Sequence, residues 1–303
     1  MDVVKTLEEN SFILTEAAVI EALSRTAGVE LHPRLEHALL LYDEPGRKAL
    51  TNLYDSFISV ARKSDVPVLI STPTWRANRE RVAEENGCPE VNRDAVAFLR
   101  ELRMSWGEWG DNIGIGGFLG CRNDCYRPEE GLSIIEAEAF HSWQVGQFEG
   151  TGVDFLLAAT LPAVDEAAGM ALAMAKTGIP FILSFVINRE GLILDGSTIE
   201  QAVGTIDALS GKRPLGYMIN CAYPSFLDGE SLSKEVMSRI IGYQANASSL
   251  DHAELDGMES SHSEDIHHWS MGMLDLHRKY DISILGGCCG TRVEHLEYII
   301  NNL

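Results

Sequence analysis

Short runs of apolar and β-branched residues recur along the chain, and longer stretches with apolar residues at helical spacing separate them. Eight of the runs predict β-strands, at 12–15, 66–71, 112–117, 153–158, 180–187, 215–221, 239–245 and 282–286. Five intervening stretches predict helices with an apolar stripe, at 92–103, 133–147, 165–177, 198–208 and 231–238. Most of the runs lack strict alternation of apolar and polar residues, which is typical of parallel strands buried on both faces.

The alternation of strand and helix along the 303 residues predicts an α/β protein, and eight such units fit one (β/α)₈ TIM barrel. No Gly/Ser-rich linker or low-complexity tract divides the chain. We therefore predict a single domain over residues 1–303 and favour a barrel over a doubly wound sheet. Because the loops at the C-terminal ends of the strands build the site of such a barrel, reactive residues should lie at strand ends.

The charge balance narrows the class of ligand. The chain has 24 Lys and Arg against 45 Asp and Glu, a formal net charge of −21, whereas a nucleic-acid surface needs clustered basic residues. No apolar run approaches the roughly 18 residues of a membrane span, and the first ten residues lack the pattern of a secretory signal. We expect a cytoplasmic protein that acts on small molecules, without nucleic-acid or membrane partners, and a homo-oligomer stays open.

Three of the six cysteines stand where predicted strands end. Cys221 ends the sixth strand, and Cys288 and Cys289 follow the eighth, so three thiolates can converge on one ion. A structural zinc normally takes four protein ligands, and no fourth Cys or His lies beside either motif. We predict a Zn²⁺ site with a fourth position for water or substrate. The glycines on both sides of the cysteine pair should let the backbone turn sharply, so that adjacent side chains reach one ion, and Gly286 and Gly287 should allow close approach.

Such a zinc site supports a narrow chemistry. Zinc does no redox work, but a thiol bound to it is deprotonated at neutral pH and held as a nucleophile. The thiolate of an incoming substrate can then attack a methyl group carried by a positively charged sulfur or nitrogen. The catalytic group would be the zinc-bound substrate thiolate, and no general base from the protein is required.

Four stretches of the chain carry a family resemblance: GGCCGT at 286–291, the pair Asn220 and Cys221, LSFVINREGLILDGSTIEQAV at 183–203 and HAELD at 252–256. Together they resemble the homocysteine S-methyltransferase family, over about residues 12–300. The resemblance implies a (β/α)₈ barrel with zinc on Cys221, Cys288 and Cys289. It also implies homocysteine as methyl acceptor, methionine as product, and an onium donor such as S-methylmethionine, S-adenosylmethionine or a betaine.

Six polar residues are candidate substrate contacts: Thr15, Glu16, Thr72, Thr160, Asn220 and Asn246. Glu16 and Thr72 would orient the acceptor, and Asn220 would brace the cysteine loop. Members of the family usually have an Asp-Gly pair at the first strand and a Glu at the end of the fourth. Here the first strand reads ILTEAA, in which Glu16 is the candidate replacement, and Ala159 stands at the second position.

Two alternatives to methyl transfer onto homocysteine stay open. The same chemistry could act on a different thiol or a specialised onium compound, which the change to Ala159 favours. A non-catalytic barrel could instead hold a structural or thiol-sensing zinc, with a fourth ligand from the His-rich segment 252–268. Cys121 and Cys125 lie in a glycine-rich stretch after the third strand, and their spacing indicates free thiols rather than a second metal site.

Overall fold

Residues 1–85, 88–209, 211–251, 254 and 263–303 are described by a computed structural model, in which eight parallel strands close into a barrel. Each strand pairs with the next along the chain, and the eighth pairs with the first. The strands are β1 (Ile13–Leu14), β2 (Val68–Ser71), β3 (Ile113–Leu119), β4 (Phe155–Leu161), β5 (Phe181–Phe185), β6 (Gly216–Ala222), β7 (Ile240–Ala245) and β8 (Ile284–Gly287). The predicted (β/α)₈ barrel is confirmed, and each strand overlaps its predicted run.

Helices surround this barrel. They are α1 (Val3–Glu9), α2 (Val19–Ser24), α3 (Glu44–Lys63), α4 (Arg79–Glu84), α5 (Val91–Ser105), α6 (Ile134–Gln147), α7 (Val164–Ala175), α8 (Ile199–Leu209), α9 (Lys234–Met237), α10 (Ile266–Tyr280) and α11 (Val293–Asn301). Four of the five predicted helices agree with these bounds to within two residues, whereas only half of the predicted 231–238 is helical. Within the described ranges, no helix has the length and apolar character to cross a membrane.

Alternate residues of the strands belong to two separate apolar clusters. In β4, for example, Phe155 and Leu157 pack with residues of the other strands, while Leu156 and Ala158 pack with the surrounding helices. Both faces of the strands are thus buried, which explains why their sequences are apolar without alternation. Val3 of α1 belongs to the first cluster, so α1 covers the N-terminal end of the barrel. The opposite end of the barrel, where the strands have their C-terminal ends, is not covered by α1.

The close packing of α6 against α7 gives a first prediction. A Cβ atom on Gly169 of α7 would lie 2.5 Å from Ala137 Cβ, whereas a Cβ on Gly204 of α8 would meet nothing within 4 Å. We expect Gly169→Ala to lower the free energy of unfolding by about 1–3 kcal/mol through overpacking. The matched change Gly204→Ala should raise it by about 0.5–1 kcal/mol, the ordinary gain of Ala over Gly in a helix. Urea unfolding of both variants measures the two signs, and a gain at both positions would contradict the close approach.

Candidate metal centre

The C-terminal ends of β6 and β8 bring three thiols together. Cys221 is the next-to-last residue of β6, and Cys288 and Cys289 directly follow β8. Their Sγ atoms all lie within 4.8 Å of one another, with 2.7 Å between Cys221 and Cys288 and 4.0 Å between Cys288 and Cys289. In the described part of the chain, this is the one group of side chains found that could hold a metal ion.

The three thiols fit a soft tetrahedral ion. Zinc–sulfur bonds of about 2.3 Å place two sulfur ligands about 3.8 Å apart, close to the 4.0 Å between Cys288 and Cys289. The 2.7 Å between Cys221 Sγ and Cys288 Sγ is shorter than this separation, and it has to lengthen by about 1 Å when both sulfurs bind one ion. Thiolates suit zinc better than magnesium or calcium, so the ligand set agrees with the predicted metal.

No fourth protein ligand joins this group among the residues with a described position. Of the histidines proposed as a fourth ligand for a structural zinc, His252 and His262 lie outside the described residues. His267 and His268 are exposed in the first turn of α10, where the carboxylate of Asp265 caps the helix by accepting from both backbone amides. The described residues therefore offer three sulfur ligands to a metal ion.

Without a metal, the three thiols ionise unequally. Hydrogen bonds with Cys288 and Cys289, together with burial, raise the pKa of Cys221 well above its usual value. For Cys288, the hydrogen bond with Cys221 lowers the pKa, but the hydrogen bond with Cys289 and burial raise it well above the usual value. Hydrogen bonds from its two neighbours hold the pKa of Cys289 well below its usual value. The three thiols can therefore ionise together only around a cation.

Asn220 ties together the ends of three neighbouring strands. Its Oδ1 accepts hydrogen bonds from the Thr160 amide at 3.0 Å and the Ser184 hydroxyl at 2.7 Å. Its Nδ2 donates to Thr160 Oγ1 at 2.8 Å and to Cys221 Sγ at 3.2 Å. Thr160 and Cys221 have left-handed backbones, with φ of 62° and 54°, which residues other than glycine seldom adopt. Asn220 thus uses its full hydrogen-bonding capacity to brace both of these residues.

Two predicted substrate contacts lie outside the lining of the cavity. Asn246 Nδ2 donates to the Cys221 carbonyl at 3.0 Å, and its Oδ1 accepts from the Cys289 amide at 3.1 Å. The Thr15 hydroxyl donates to the Leu69 carbonyl at 3.0 Å. Asn246 therefore links the two cysteine segments, and Thr15 links β1 to β2. Contact of these two side chains with substrate stays a prediction.

The two glycines before the cysteine pair serve close packing rather than a turn. Neither Gly286 nor Gly287 has a positive φ, whereas Gly290 after the pair has a φ of 78° and lies in a turn. A Cβ on Gly286 would lie 2.5 Å from Thr15 Cγ2 and 2.6 Å from the Glu16 carbonyl oxygen, and a Cβ on Gly287 would overlap the Thr291 side chain. Glycine is needed here because β8 passes directly against the segment after β1.

A cavity of about 350 Å³ opens beside the three cysteines. Eight residues predicted for the site line it: Glu16, Thr72, Thr160, Asn220, Cys221, Gly287, Cys288 and Cys289. Four aromatic side chains outside the predicted site also line it: Tyr54, Trp75, Phe118 and Tyr126. Ala159, where the family usually has a carboxylate, is part of the same wall. The cavity is therefore mainly apolar.

The charged side chains that line the cavity are acidic. Glu16, Glu21 and Glu36 are among the lining residues, and no Lys or Arg with a described position is. Glu16 is buried, and its Oε1 accepts a hydrogen bond from the Ser71 amide at 2.6 Å. Burial raises the pKa of Glu16 to about 8, although the Ser71 hydrogen bond opposes this shift. A cation bound beside Glu16 would favour its ionised form, so the cavity suits a positively charged group.

Thr72 contacts protein groups as well as the cavity. Its Oγ1 accepts from the Phe118 amide at 2.9 Å and lies 2.7 Å from Thr74 Oγ1. The Thr74 hydroxyl in turn donates to the Phe118 carbonyl at 2.8 Å. These bonds join the loop after β2 to β3, so Thr72 shapes the wall of the cavity besides being available to a ligand.

Cys121 and Cys125 are free thiols in the loop after β3. Burial raises the pKa of each thiol to about 12, so both stay protonated at neutral pH. Cys125 lines the cavity, but the metal-binding group found in the described ranges includes neither of them. The expectation of free thiols agrees with this arrangement.

The fold and the thiol group place the chain among barrel enzymes whose reactive groups lie at the C-terminal ends of the strands. The sequence profile of the homocysteine S-methyltransferase family matches residues 13–303. The chain belongs to the homocysteine S-methyltransferase family and is a methyltransferase. Membership of a family of enzymes argues against the non-catalytic alternative.

Solved structures of a homocysteine methyltransferase from Escherichia coli, MmuM, resemble the chain. The metallated form has a TM-score of 0.76 at 16% identity and covers 100% of both chains. The oxidised form has a TM-score of 0.75 at 17% identity, and the apo form 0.67 at 15%, each covering 98% of both chains. At this identity the likeness shows the barrel fold alone. No curated protein matches the chain in a sequence search.

Proposed function

We propose that this protein is a zinc-dependent methyltransferase that moves a methyl group from an onium donor to the thiol of homocysteine, giving methionine. S-Methylmethionine, S-adenosylmethionine and a betaine are the candidate donors. The observation that carries this proposal is a group of three thiols beside a cavity of about 350 Å³. Zinc held by Cys221, Cys288 and Cys289 would lower the pKa of an acceptor thiol and keep it ionised.

The reaction is a direct displacement. The acceptor thiolate forms a new sulfur–methyl bond while the bond between the methyl group and the donor's onium atom breaks. The electron pair of that bond stays on the donor, which leaves as a neutral thioether or amine. No proton has to be removed in this step, so a protein general base is not required.

The residues of the chain would bind and orient the two substrates. Glu16 is the candidate partner for the ammonium group of homocysteine, because it is a buried carboxyl group in a cavity without Lys or Arg among the described residues. Trp75, Phe118 and Tyr126 supply aromatic surface, to which onium cations are attracted. The apolar wall would also exclude water, which strengthens the charge interactions inside the cavity.

X-ray absorption at the zinc edge tests the proposal on purified, zinc-loaded protein. We expect three sulfur ligands and one lighter ligand without substrate, and four sulfur ligands after homocysteine is added. Methionine is the matched control, because its methylated sulfur has no proton to lose, and it should leave the spectrum unchanged. A spectrum that homocysteine does not alter would argue against homocysteine as acceptor, and four protein ligands from the outset would argue for a structural zinc.

A different acceptor thiol, or a specialised onium compound as donor, is the second candidate. Ala159 favours it, because the cavity lacks a carboxylate at the end of β4. One missing charge-assisted hydrogen bond to an ammonium group weakens binding by about 1.5–3 kcal/mol. Methyl transfer from S-methylmethionine to a panel of thiols separates the two candidates, and homocysteine ranking last would reject the first.

A further inference from the structure

One buried carboxylate holds both ends of the loop between β3 and α6, residues 120–133, hereafter the β3–α6 loop. Glu166 of α7 is 1% exposed. Its Oε1 accepts a hydrogen bond from the Arg122 amide at 2.8 Å, and its Oε2 accepts from the Leu132 amide at 3.3 Å. A single side chain on a neighbouring helix thus joins the start of the loop to its end.

His141 of α6 completes the surroundings of Glu166. Its Nε2 donates to Glu166 Oε1 at 2.9 Å, and both side chains are buried. Burial opposes ionisation of Glu166, but hydrogen bonds from His141, Arg122 and Leu132 hold its pKa below the usual value. A buried carboxylate with three donors is strongly fixed. Since α6 and α7 touch at Gly169, the loop is anchored to a closely packed pair of helices.

The anchored β3–α6 loop reaches the metal centre through Tyr126. Cys125 and Tyr126 line the cavity, and Tyr126 makes a side-chain hydrogen bond with Cys289. Arg76 steadies the same loop from the β2 side, because its guanidinium donates to the Asn123 carbonyl at 2.6 Å. The position of Tyr126 beside a candidate metal ligand therefore depends on contacts made outside the cavity.

The order of strands in the barrel decides which substrate the β3–α6 loop faces. The thiols come from the ends of β6 and β8, and Glu16 follows β1, which pairs with β8. An acceptor whose sulfur is near the cysteines and whose ammonium group is near Glu16 occupies this side of the barrel. The methyl donor would then bind on the opposite side of the cavity, beside β2 to β4, where Trp75, Phe118 and Tyr126 line it.

We propose that Glu166 is a positioning residue: by holding both ends of the β3–α6 loop it sets the place of Tyr126, and thereby the fit of the methyl donor. Glu166 does not line the cavity, so it acts through the loop and not on the reacting atoms. The inference rests on the proposed methyl transfer, because the donor is a substrate of that reaction.

Steady-state kinetics of Glu166→Gln tests the effect on the donor. The amide nitrogen of Gln cannot accept a hydrogen bond, so one of the donors around residue 166 loses its partner. We expect the KM for S-methylmethionine to rise about tenfold, with kcat within about threefold and zinc content unchanged. Glu138→Gln is the matched control on α6, since Glu138 pairs with Lys176 at the surface, where an ion pair contributes little.

Alkylation of Cys125 reports on the loop independently of activity. Cys125 is 4% exposed, so iodoacetamide should modify it slowly in the wild-type protein. In Glu166→Gln we expect the rate at Cys125, followed by mass spectrometry of its peptide, to rise at least about tenfold as the loop opens locally. Cys88 lies outside the loop and is half-buried, so its rate should not change.

Each outcome decides a separate point. A raised KM for the donor together with faster alkylation of Cys125 supports the proposal. An unchanged alkylation rate overturns the anchoring of the loop, and a fall in kcat or zinc content at constant KM overturns the link to the donor. Absence of methyl transfer in wild-type and variant alike, with faster alkylation in the variant, rejects the proposed function and not the anchor.

A second variant keeps the test available if Glu166→Gln does not fold. Asn123 Nδ2 donates to the Glu130 carbonyl at 2.7 Å within the same loop, and Asn123 is only partly buried. Asn123→Ala should therefore fold, raise the KM for S-methylmethionine about threefold and leave kcat unchanged. A KM equal to that of the wild type would contradict the dependence of donor fit on this loop.

Discussion

Replacement of Cys289 by Ala should abolish both metal binding and methyl transfer. The variant keeps two of the three thiols that lie within 4.8 Å of one another. Without zinc, an acceptor thiol with a pKa of about 8.5 is only about 3% ionised at pH 7, and it loses its fixed position as well. Together these losses should lower turnover on the order of a thousandfold or more, measured as product formed per chain beside zinc content by elemental analysis.

Cys88→Ala is the matched control for this variant. Cys88 is half-buried and does not line the cavity, whereas Cys289 is exposed, so neither substitution removes a large part of the core. The control should retain zinc and full turnover. Cys289→Ala with full metal content and unreduced turnover would exclude the three-thiol centre, and equal losses in both variants would show that the cysteines matter for folding instead.

Glu16→Gln should have the second-largest effect, on the binding of the acceptor. Gln keeps the size of the side chain but removes the charge that an ammonium group would meet. We expect the KM for homocysteine to rise ten- to a hundredfold, the effect of losing a charge-assisted hydrogen bond of about 1.5–3 kcal/mol. Acceptor thiols without an ammonium group should be affected less, and an equal rise for both kinds of thiol would contradict the contact.

The pKa of Glu16 predicts how this effect depends on pH. Because the pKa in the empty cavity is raised to about 8, Glu16 is protonated at neutral pH and has to ionise when an ammonium group binds. The KM of the wild-type protein should therefore fall as pH rises to about 8. Below this pH, the ratio of the wild-type KM to the KM of Glu16→Gln should fall about tenfold for each pH unit. Parallel pH profiles of the two proteins would contradict the assignment.

The same raised pKa affects the stability of the ligand-free protein. Between the ordinary value of 4.5 and about 8, the folded protein holds a proton on Glu16 that the unfolded chain has lost. The free energy of unfolding therefore decreases as pH rises through this window. Glu16→Gln lacks this term, so its stability relative to the wild type should increase from pH 5 to pH 8, as measured by urea unfolding.

The strands were predictable because burial on both faces leaves apolar runs, as in β4 and β6, which are buried throughout. The helix α3 was not predicted, although it begins at a capping residue, Asp43, whose carboxylate accepts from the Gly46 amide. Its buried residues come at helical spacing, but they are interleaved with Lys, Arg and Asp over 20 residues. The apolar stripe is clear only once the face that packs on the barrel is known.

In the site, the residues at strand ends were predictable and those on loops were not. Cys221, Cys288 and Glu16 could be placed because the ends of parallel strands open at one end of a barrel. The position of Tyr126 depends on Glu166, which bonds to Arg122 from 44 positions away along the chain. Contacts of this kind leave no local pattern of apolar and polar residues, so no spacing rule could have identified them.

The left-handed backbone at Cys221 lowers the stability of the folded chain at a position where a thiol is needed for metal binding. A residue with a side chain is less stable than glycine in this conformation by about 1–2 kcal/mol, and Cys221 has a φ of 54°. In the metal-free protein, glycine at this position would remove that backbone strain, but it would also remove a ligand of the proposed zinc site. A variant selected for thermal stability of the metal-free protein can therefore lose a metal ligand, so a screen for more stable variants has to measure turnover as well as stability.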